Sequence, residues 1–366
     1  TSQLLTITQS IIREVDSRVC VQAAILDFSK AFDKVSHSLL MEKLFNFGFS
    51  NDILSWILDF LSNRTQRVVL NGCFSSVVPV TSGVPQGSVL GPALFLLYIN
   101  DISQNLTSTI RLYADDALLH YSITSASSVD IFQRDLNTLE QWAEKWQMSF
   151  NTSKCSIIVF GNSKEVEVQS LQYSLNGVVL NRVDSIKYLG ILITSNFDWG
   201  EHVNKKHSEA MQVLGMLRRN LSAAPPKIRL LAYKTLCRPK VEFASEVWDP
   251  GYKIHINLLE MLQNRAARFI SNLKGRDGVT QEKELLGLES LQDRRKTQRI
   301  KTFHHIMQSE NPSFNELNHF IQQFFRDEGP HTRSKSKGQP LAVSTSHDFY
   351  LNSFVPRTTR DMRIFN

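Results

Sequence analysis

The spacing of apolar and polar positions divides this chain into an alternating first part and a helical second part. Residues 1–15 read as the end of a helix, and Val21-Gln-Ala-Ala-Ile-Leu-Asp27 as a buried strand that stops on an acid. Leu39, Leu40, Leu44 and Phe47 predict an amphipathic helix over Ser38–Phe47, closed by Gly48. Ile53, Trp56, Ile57, Phe60 and Leu61 predict another from about Asp52 to Leu61, with Ser50 or Asn51 as its cap. Alternation over Arg67–Gly72 and Ser75–Val80 predicts a hairpin around Asn71-Gly72. A glycine-rich loop, Ser82-Gly-Val-Pro-Gln-Gly-Ser-Val-Leu-Gly-Pro92, then opens a helix that runs to about Asp101. Phe132, Leu136, Leu139, Ala143 and Trp146 mark a helix from about Ser128 to Gln147. Strands follow at Ser156–Phe160 and Lys187–Ile193, with a hairpin at Asn176-Gly177 between them.

Near residue 198 the period changes. Val203, Ala210, Met211, Leu214, Leu217 and Leu221 form one helical stripe, and Pro225-Pro226 begin a helix through Leu230, Leu231, Tyr233 and Leu236. Lys205, Lys206, Arg218, Arg219, Lys227 and Arg229 are expected on the remaining faces. After about Pro250 the helical pattern is looser, and Pro330–Gly338 reads as an exposed or disordered basic stretch. The pattern therefore predicts an α+β layer over residues 16–195 followed by an all-helical unit.

Composition changes this picture little. The chain has 366 residues, 42% of them apolar and 21% charged, which suits a folded protein with two or three structural units. A net charge of +6 suits a polyanionic partner without requiring one. Cys20, Cys73, Cys155 and Cys237 lie far apart, which argues against a zinc knuckle or a disulfide framework. With no long apolar run and no signal peptide at its start, the chain is expected to be soluble and intracellular.

The chemistry concentrates in Arg111-Leu-Tyr-Ala-Asp-Asp-Ala-Leu-Leu-His120. Apolar residues on both sides of Asp115-Asp116 predict strand, tight turn, strand, with both acids at the tip of a half-buried hairpin. Like charges so close are costly unless a cation neutralises them. Together with Asp27 they form a set of hard oxygen ligands, whose usual use is phosphoryl or nucleotidyl transfer. Taken alone the three acids also read as a calcium site or a phosphatase site, and the Asp115-Asp116 pair reads as a solvated turn. Phe32 sits five positions past Asp27, where a returning chain can bring its ring beside bound phosphates, although taken alone it reads better as ordinary core packing. Asp33 reads as a structural acid at a helix start. The glycines of Gly83-Val-Pro-Gln-Gly87 let the backbone approach a nucleotide, with Gln86 as a hydrogen-bonding group, and they equally suit a helix start. Lys154 stands between a long helix and a strand, either as a proton donor to a leaving pyrophosphate or as a solvated lysine.

Four segments in this order, Asp27-Phe-Ser-Lys-Ala-Phe-Asp33, Gly83–Phe95, Tyr113-Ala-Asp-Asp116 and Lys187-Tyr-Leu-Gly-Ile191, resemble the palm motifs of reverse transcriptases from non-long-terminal-repeat (LINE-type, jockey-like) retrotransposons. The resemblance covers residues 1 to about 200 and continues more loosely to Asn352-Ser-Phe-Val-Pro-Arg-Thr358. It implies a palm over 1–197, with an antiparallel sheet, helices on one face, a remnant of the fingers and a primer-grip hairpin. It further implies a helical thumb over 198–249 and a mostly helical region with a flexible basic tail over 250–366.

The activity so implied is RNA-directed DNA polymerisation, with an RNA template, a DNA primer and deoxynucleoside triphosphates as partners. Asp27 and Asp115 would bind two magnesium ions, or manganese in their place, with the Phe28 carbonyl assisting and Asp116 as an orienting ligand. Phe32 would exclude a 2′-hydroxyl, and Gly83, Pro85, Gln86 and Gly87 would contact nucleotide and template. Lys154 aligns with a proton donor, Tyr188-Leu189-Gly190 with the primer grip, and the thumb residues Lys205, Lys206, Arg218 and Arg219 would track phosphates. The family's place of action implies the nucleus, and no membrane.

The fingers' basic residues, an upstream endonuclease and a downstream cysteine-histidine knuckle are not in the sequence, and Asp361–Asn366 departs from the family's tryptophan and asparagine. A chain cut at both ends, with weak or no activity as given, is the expectation. The alternative is a catalytically silent remnant that only binds nucleic acid. A palm-type cyclase is disfavoured by the Gly83–Gly91 loop and by the helices after residue 200.

Overall fold

A computed structural model describes residues 1–161, 172–273, 275, 278–323 and 347–363. The Pro330–Gly338 stretch and the last three residues lie outside that set. The chain forms two compact units: Val19–Asp184, and Thr1–Arg18 together with Ser185–Asn366. These boundaries differ from those expected at residues 197 and 249. The first helix, α1 (Ser2–Asp16), belongs by its contacts with the C-terminal unit and not with the strand that follows it.

The Val19–Asp184 unit is built on β1 (Cys20–Asp27). Next come α2 (His37–Asn46), α3 (Asn51–Leu61), four two-residue strands β2–β5 between Thr65 and Pro79, and α4 (Leu90–Ile99). The hairpin β6 (Thr109–Tyr113) and β7 (Asp116–Ile123) leads to α5 (Ser127–Lys145) and β8 (Ser156–Phe160). Three short strands, β9 (Ser174–Leu175), β10 (Val178–Val179) and β11 (Asn181–Arg182), complete it. The main sheet has the order β11-β8-β1-β7-β6. It is antiparallel except at the β11 edge, which runs parallel to β8.

Alternate strand residues (Ala24 and Leu26, Ala117 and Leu119, Ile157 and Val159) enter one core with Leu40, Leu44, Phe95, Tyr98, Phe132, Leu136 and Leu139 from the helices. Helices thus cover that face, as the two-residue period requires. Each fully buried leucine or phenylalanine there stabilises by about 1.5–3 kcal/mol relative to exposure. Asp135, buried on α5, accepts the Thr107 and Ser108 amides at 3.1 and 2.6 Å and so fixes the chain entering β6.

The hairpin at Asn71-Gly72 forms, with both residues at positive φ (50° and 81°) as a two-residue turn of this type demands. Its apolar side chains, Leu70 and Phe74 among them, are exposed. Phe47, expected on the core side of α2, is exposed too, because α2 ends at Asn46 and the chain turns away at Gly48.

The other unit holds β12 (Ser185–Tyr188), β13 (Ile191–Thr194), α6 (Gly200–Asn220), α7 (Pro226–Ala232), α8 (Ser245–Trp248), α9 (Lys253–Ser271), α10 (Val279–Leu285), α11 (Leu291–Gln308), α12 (Asn315–Gln323), α13 (Asp348–Leu351) and α14 (Phe354–Arg363). The single strand expected over Lys187–Ile193 is a hairpin, broken by Leu189 and Gly190 at φ 45° and 85°. α1 is tied in by Gln9, which donates to Ser353 Oγ at 3.1 Å and accepts the Val355 amide at 3.2 Å.

Arg229, expected on a solvated face, is buried. It donates to the carbonyls of Leu221, Ser222 and Phe269 and to Asn272 Oδ1, capping backbone groups that α6 and α9 leave open at their ends. A second buried cluster centres on Asp249. Its carboxylate takes Arg295 Nε at 2.8 Å, Arg299 Nη1, and Arg357 Nη2 at 3.2 Å, while Arg299 also reaches Asp361.

Candidate active site

The acid corner follows from strand register. β6 and β7 end their pairing at Tyr113↔Asp116, leaving Ala114 and Asp115 as a two-residue turn. Ala114 sits at φ 52°, a position where glycine is ordinarily found, and strain of that kind costs roughly 1–3 kcal/mol. Asp116 opens β7 directly across from Asp27, the last residue of β1. Antiparallel partners stand about 4.5–5.5 Å apart at Cα. Burial raises the Asp116 pKa first, and the negative charges of Asp115 and Asp27 raise it further. Three acids from two chain segments are thus close enough to repel one another.

Among the described residues, Lys154 supplies the counter-charge at this corner, its Nζ 3.3 Å from Asp27 Oδ2. The chain after α5 puts it there. Phe150 stacks on Phe28 with ring centres 4.7 Å apart, the Asn151 amide donates to the Asp27 carbonyl at 2.7 Å, and the Lys154 amide donates back to Asn151 at 2.9 Å. The Asp27 amide in turn donates to Cys155 Sγ at 3.5 Å. The bridge between these segments uses the Asp27 carbonyl and the Ser29 amide, not the Phe28 carbonyl. Asn151 was not singled out in the sequence. An asparagine in a polar run between helix and strand is an ordinary turn signal that would have found it.

The donor set, all hard carboxylate oxygen, fits a divalent cation, and the mutual repulsion at Asp116 is relieved by one. As the side chains stand, no three His, Cys, Asp or Glu among the described residues close on a common point.

Beyond Asp27, Lys30 at φ 54° turns the chain into a single 3-10 turn, Ala31–Asp33. Phe32, half-buried, stacks on Phe95 with centres 4.5 Å apart, so its ring is held from below by α4. The glycine loop packs against this turn: Gly83 N donates to the Val35 carbonyl and Val84 N to the Phe32 carbonyl, each at 2.8 Å. A Cβ on Gly83 would meet the Asp33 backbone at 2.8 Å, so the protein's own chain already requires this glycine. Gly87, at φ 81°, faces open space and has the freedom expected of the loop. Gln86, beside Pro85, donates to Asp33 Oδ1 at 3.2 Å, which gives Asp33 the structural role expected of it.

The remaining expected residues lie in the other unit. Tyr188 is buried, Leu189 and Gly190 form the hairpin turn, and a Cβ on Gly190 would touch Phe243 at 3.3 Å. On α6, Lys205, Arg218 and Arg219 are exposed, whereas Lys206 is half-buried and pairs with Glu209 at 3.0 Å.

A mixed sheet with two acids abreast on its central strands and a third in the adjoining turn is the palm of a nucleotide polymerase. Residues 6–193, over half of the chain, match the family described as reverse transcriptase (RNA-dependent DNA polymerase), and the chain belongs to that family. That family implies dependence on a divalent metal.

Among its relatives, the RNA-directed DNA polymerase from mobile element jockey of Drosophila funebris is 29% identical over 74% of this chain and 30% of its own length. The probable RNA-directed DNA polymerase from transposon BS of Drosophila melanogaster is 27% identical over 74% and 31%. The chain thus spans about a third of the length of these relatives. The structure of apo telomerase from Candida tropicalis aligns with 87% of this chain and 55% of its own at 11% identity, with a TM-score of 0.38. No helix among the described residues is long and apolar enough to cross a membrane.

Proposed function

We propose that this chain is the palm and thumb of an RNA-directed DNA polymerase from a non-long-terminal-repeat retrotransposon, adding deoxynucleotides to a primer 3′ end along an RNA template. The observation that carries the reading is the Asp27↔Asp116 register with Asp115 in the adjoining turn. Asp27, Asp115 and the Phe28 carbonyl would hold a pair of magnesium ions, or manganese in their place, with Asp116 orienting. When bound, such cations make a 3′-hydroxyl more nucleophilic and neutralise charge on a triphosphate.

The chain's own residues do the rest. Phe32, backed by Phe95, presents a fixed ring to the sugar and rejects a 2′-hydroxyl by steric contact. Lys154 exchanges Asp27 for the leaving pyrophosphate and gives it a proton from Nζ; its exposed side chain leaves it free to do so. Gln86, held by Asp33, borders the nucleotide. Tyr188, Leu189 and Gly190 hold the primer end, and Lys205, Arg218 and Arg219 contact backbone phosphates.

The test compares the unmodified chain with Asp115→Asn on a primed RNA template with deoxynucleotides and magnesium, beside manganese binding followed by electron paramagnetic resonance. Extension and manganese binding by the unmodified chain, both lost in the variant, are expected. RNA binding by both proteins, with neither extension nor manganese binding, would instead identify a silent nucleic-acid-binding remnant.

A further inference from the structure

α6 and α9 pack side by side, and a groove of about 1080 Å³ runs between them. Its charge is of one sign. Arg218 comes from α6, Arg265 and Arg268 from α9, and no described residue that lines it carries a carboxylate. Arg229 forms part of its wall but spends its donors on backbone carbonyls and Asn272. The other three have no acidic partner among the described residues. Arg265 reaches only the thioether of Met211, at 3.7 Å.

Arg265 and Arg268 stand three apart on one helix, hence on one face, and Arg218 faces them from the opposite wall. Three guanidiniums with no acid between them repel one another and call for a polyanion rather than a single small anion. The rest of the lining narrows the class. Met261 and the half-buried Phe269 offer apolar surface between the charges, and Asn264 Oδ1 is a buried acceptor with no hydrogen-bond partner in the described structure. Duplex nucleic acid hides its base faces and shows mainly phosphate. A single strand offers phosphates to the arginines, base faces to the apolar lining and base N–H groups to Asn264.

We propose that the α6–α9 groove binds single-stranded nucleic acid, and so extends nucleic-acid contact beyond the thumb into the region after residue 250. The inference rests on charge and lining alone and does not need the acid corner to be active. Fluorescence anisotropy with labelled oligo-uridine, oligo-thymidine and a hairpin duplex, in chelator without nucleotide, reads it independently of catalysis. In the double variant Arg265→Gln with Arg268→Gln, single-strand affinity should fall about tenfold between roughly 50 and 200 mM salt, and the log–log salt slope should lose about 1.4 units. Oligo-uridine and oligo-thymidine losses of equal size would assign the site to either strand type, and a larger oligo-uridine loss to RNA. The charge-keeping pair Arg265→Lys with Arg268→Lys should retain most of the binding, and Arg218→Gln, expected to lower the same salt slope by about 0.7 units, stands in for the first variant should that one melt early by circular dichroism. An unchanged salt slope, a duplex loss as large as the single-strand loss, or loss in the lysine pair equal to that in the glutamine pair would overturn the proposal.

Discussion

At the ends of the palm's central strands three carboxylates gather with one exposed lysine beside them, whereas in the helical unit Asp249 and Asp361 close on Arg295, Arg299 and Arg357 out of water. The first arrangement raises a carboxyl pKa and tolerates a strained Ala114. The second satisfies its acids within the protein. Charge left unmatched at strand ends is available to a ligand, and charge matched in a core is committed to holding helices together.

The largest effect should come from breaking the matched cluster. Asp249→Ala removes the carboxylate shared by three buried guanidiniums and leaves Asp361 as the acid of Arg299 alone, and a loss of about 3–5 kcal/mol is expected in chemical denaturation. A loss below roughly 1 kcal/mol would show that the cluster contributes little. Asp115→Asn, by contrast, should leave the denaturation midpoint nearly unmoved while cutting primer extension by about 10²–10³-fold, the scale of losing one group that stabilises transition-state charge.

Acid should weaken both units through histidine. Burial pushes the pKa values of His120, in the palm, and His202, in the helical unit, down to about 4 from an ordinary 6.5, and His202 Nδ1 accepts the Leu192 amide at 3.2 Å. The unfolded chain binds these protons first, so the stability is fully present above pH 6.5 and is lost as pH falls toward about 4. Replacing His202 with glutamine should flatten that part of a melting-temperature profile, and an unaltered profile would remove His202 from the account. The smallest effect belongs to Asp116→Asn, which relieves repulsion at the corner. Without divalent cation it should raise the melting temperature by about 1–2 °C, a modest figure because solvent screens a half-exposed group.

The acid corner could be read from sequence because its signals are local: apolar residues flank Asp115-Asp116 at the spacing of two strands, and Asp27 ends a short apolar run. Side-chain partners distant in sequence could not. Arg295 and Arg299 look like a solvated helix face until Asp249, some 50 positions earlier, is brought to them. Arg229 was misplaced for the same reason. Gly83 was correctly singled out, but its cause, the Phe32–Asp33 backbone pressed against it, lies about 50 positions away. Phe47 was misplaced for a different reason, and the hairpin near Asn71, correctly read, leaves its apolar side chains exposed, since period predicts which residues share a face but not whether anything covers it.

Gln9 and its partners Ser353 and Val355 lie 344 and 346 positions apart. On a ribosome, α1 emerges before Val19–Asp184 and waits while all of that unit is made, since the residues it bonds lie beyond it in the chain. The intervening palm has its whole sheet in hand long before that. Its folding can therefore finish before α1 meets its partners, whereas the helical unit closes only once Ser353 and Val355 have been made, with the slow long-range search that so distant a pairing imposes.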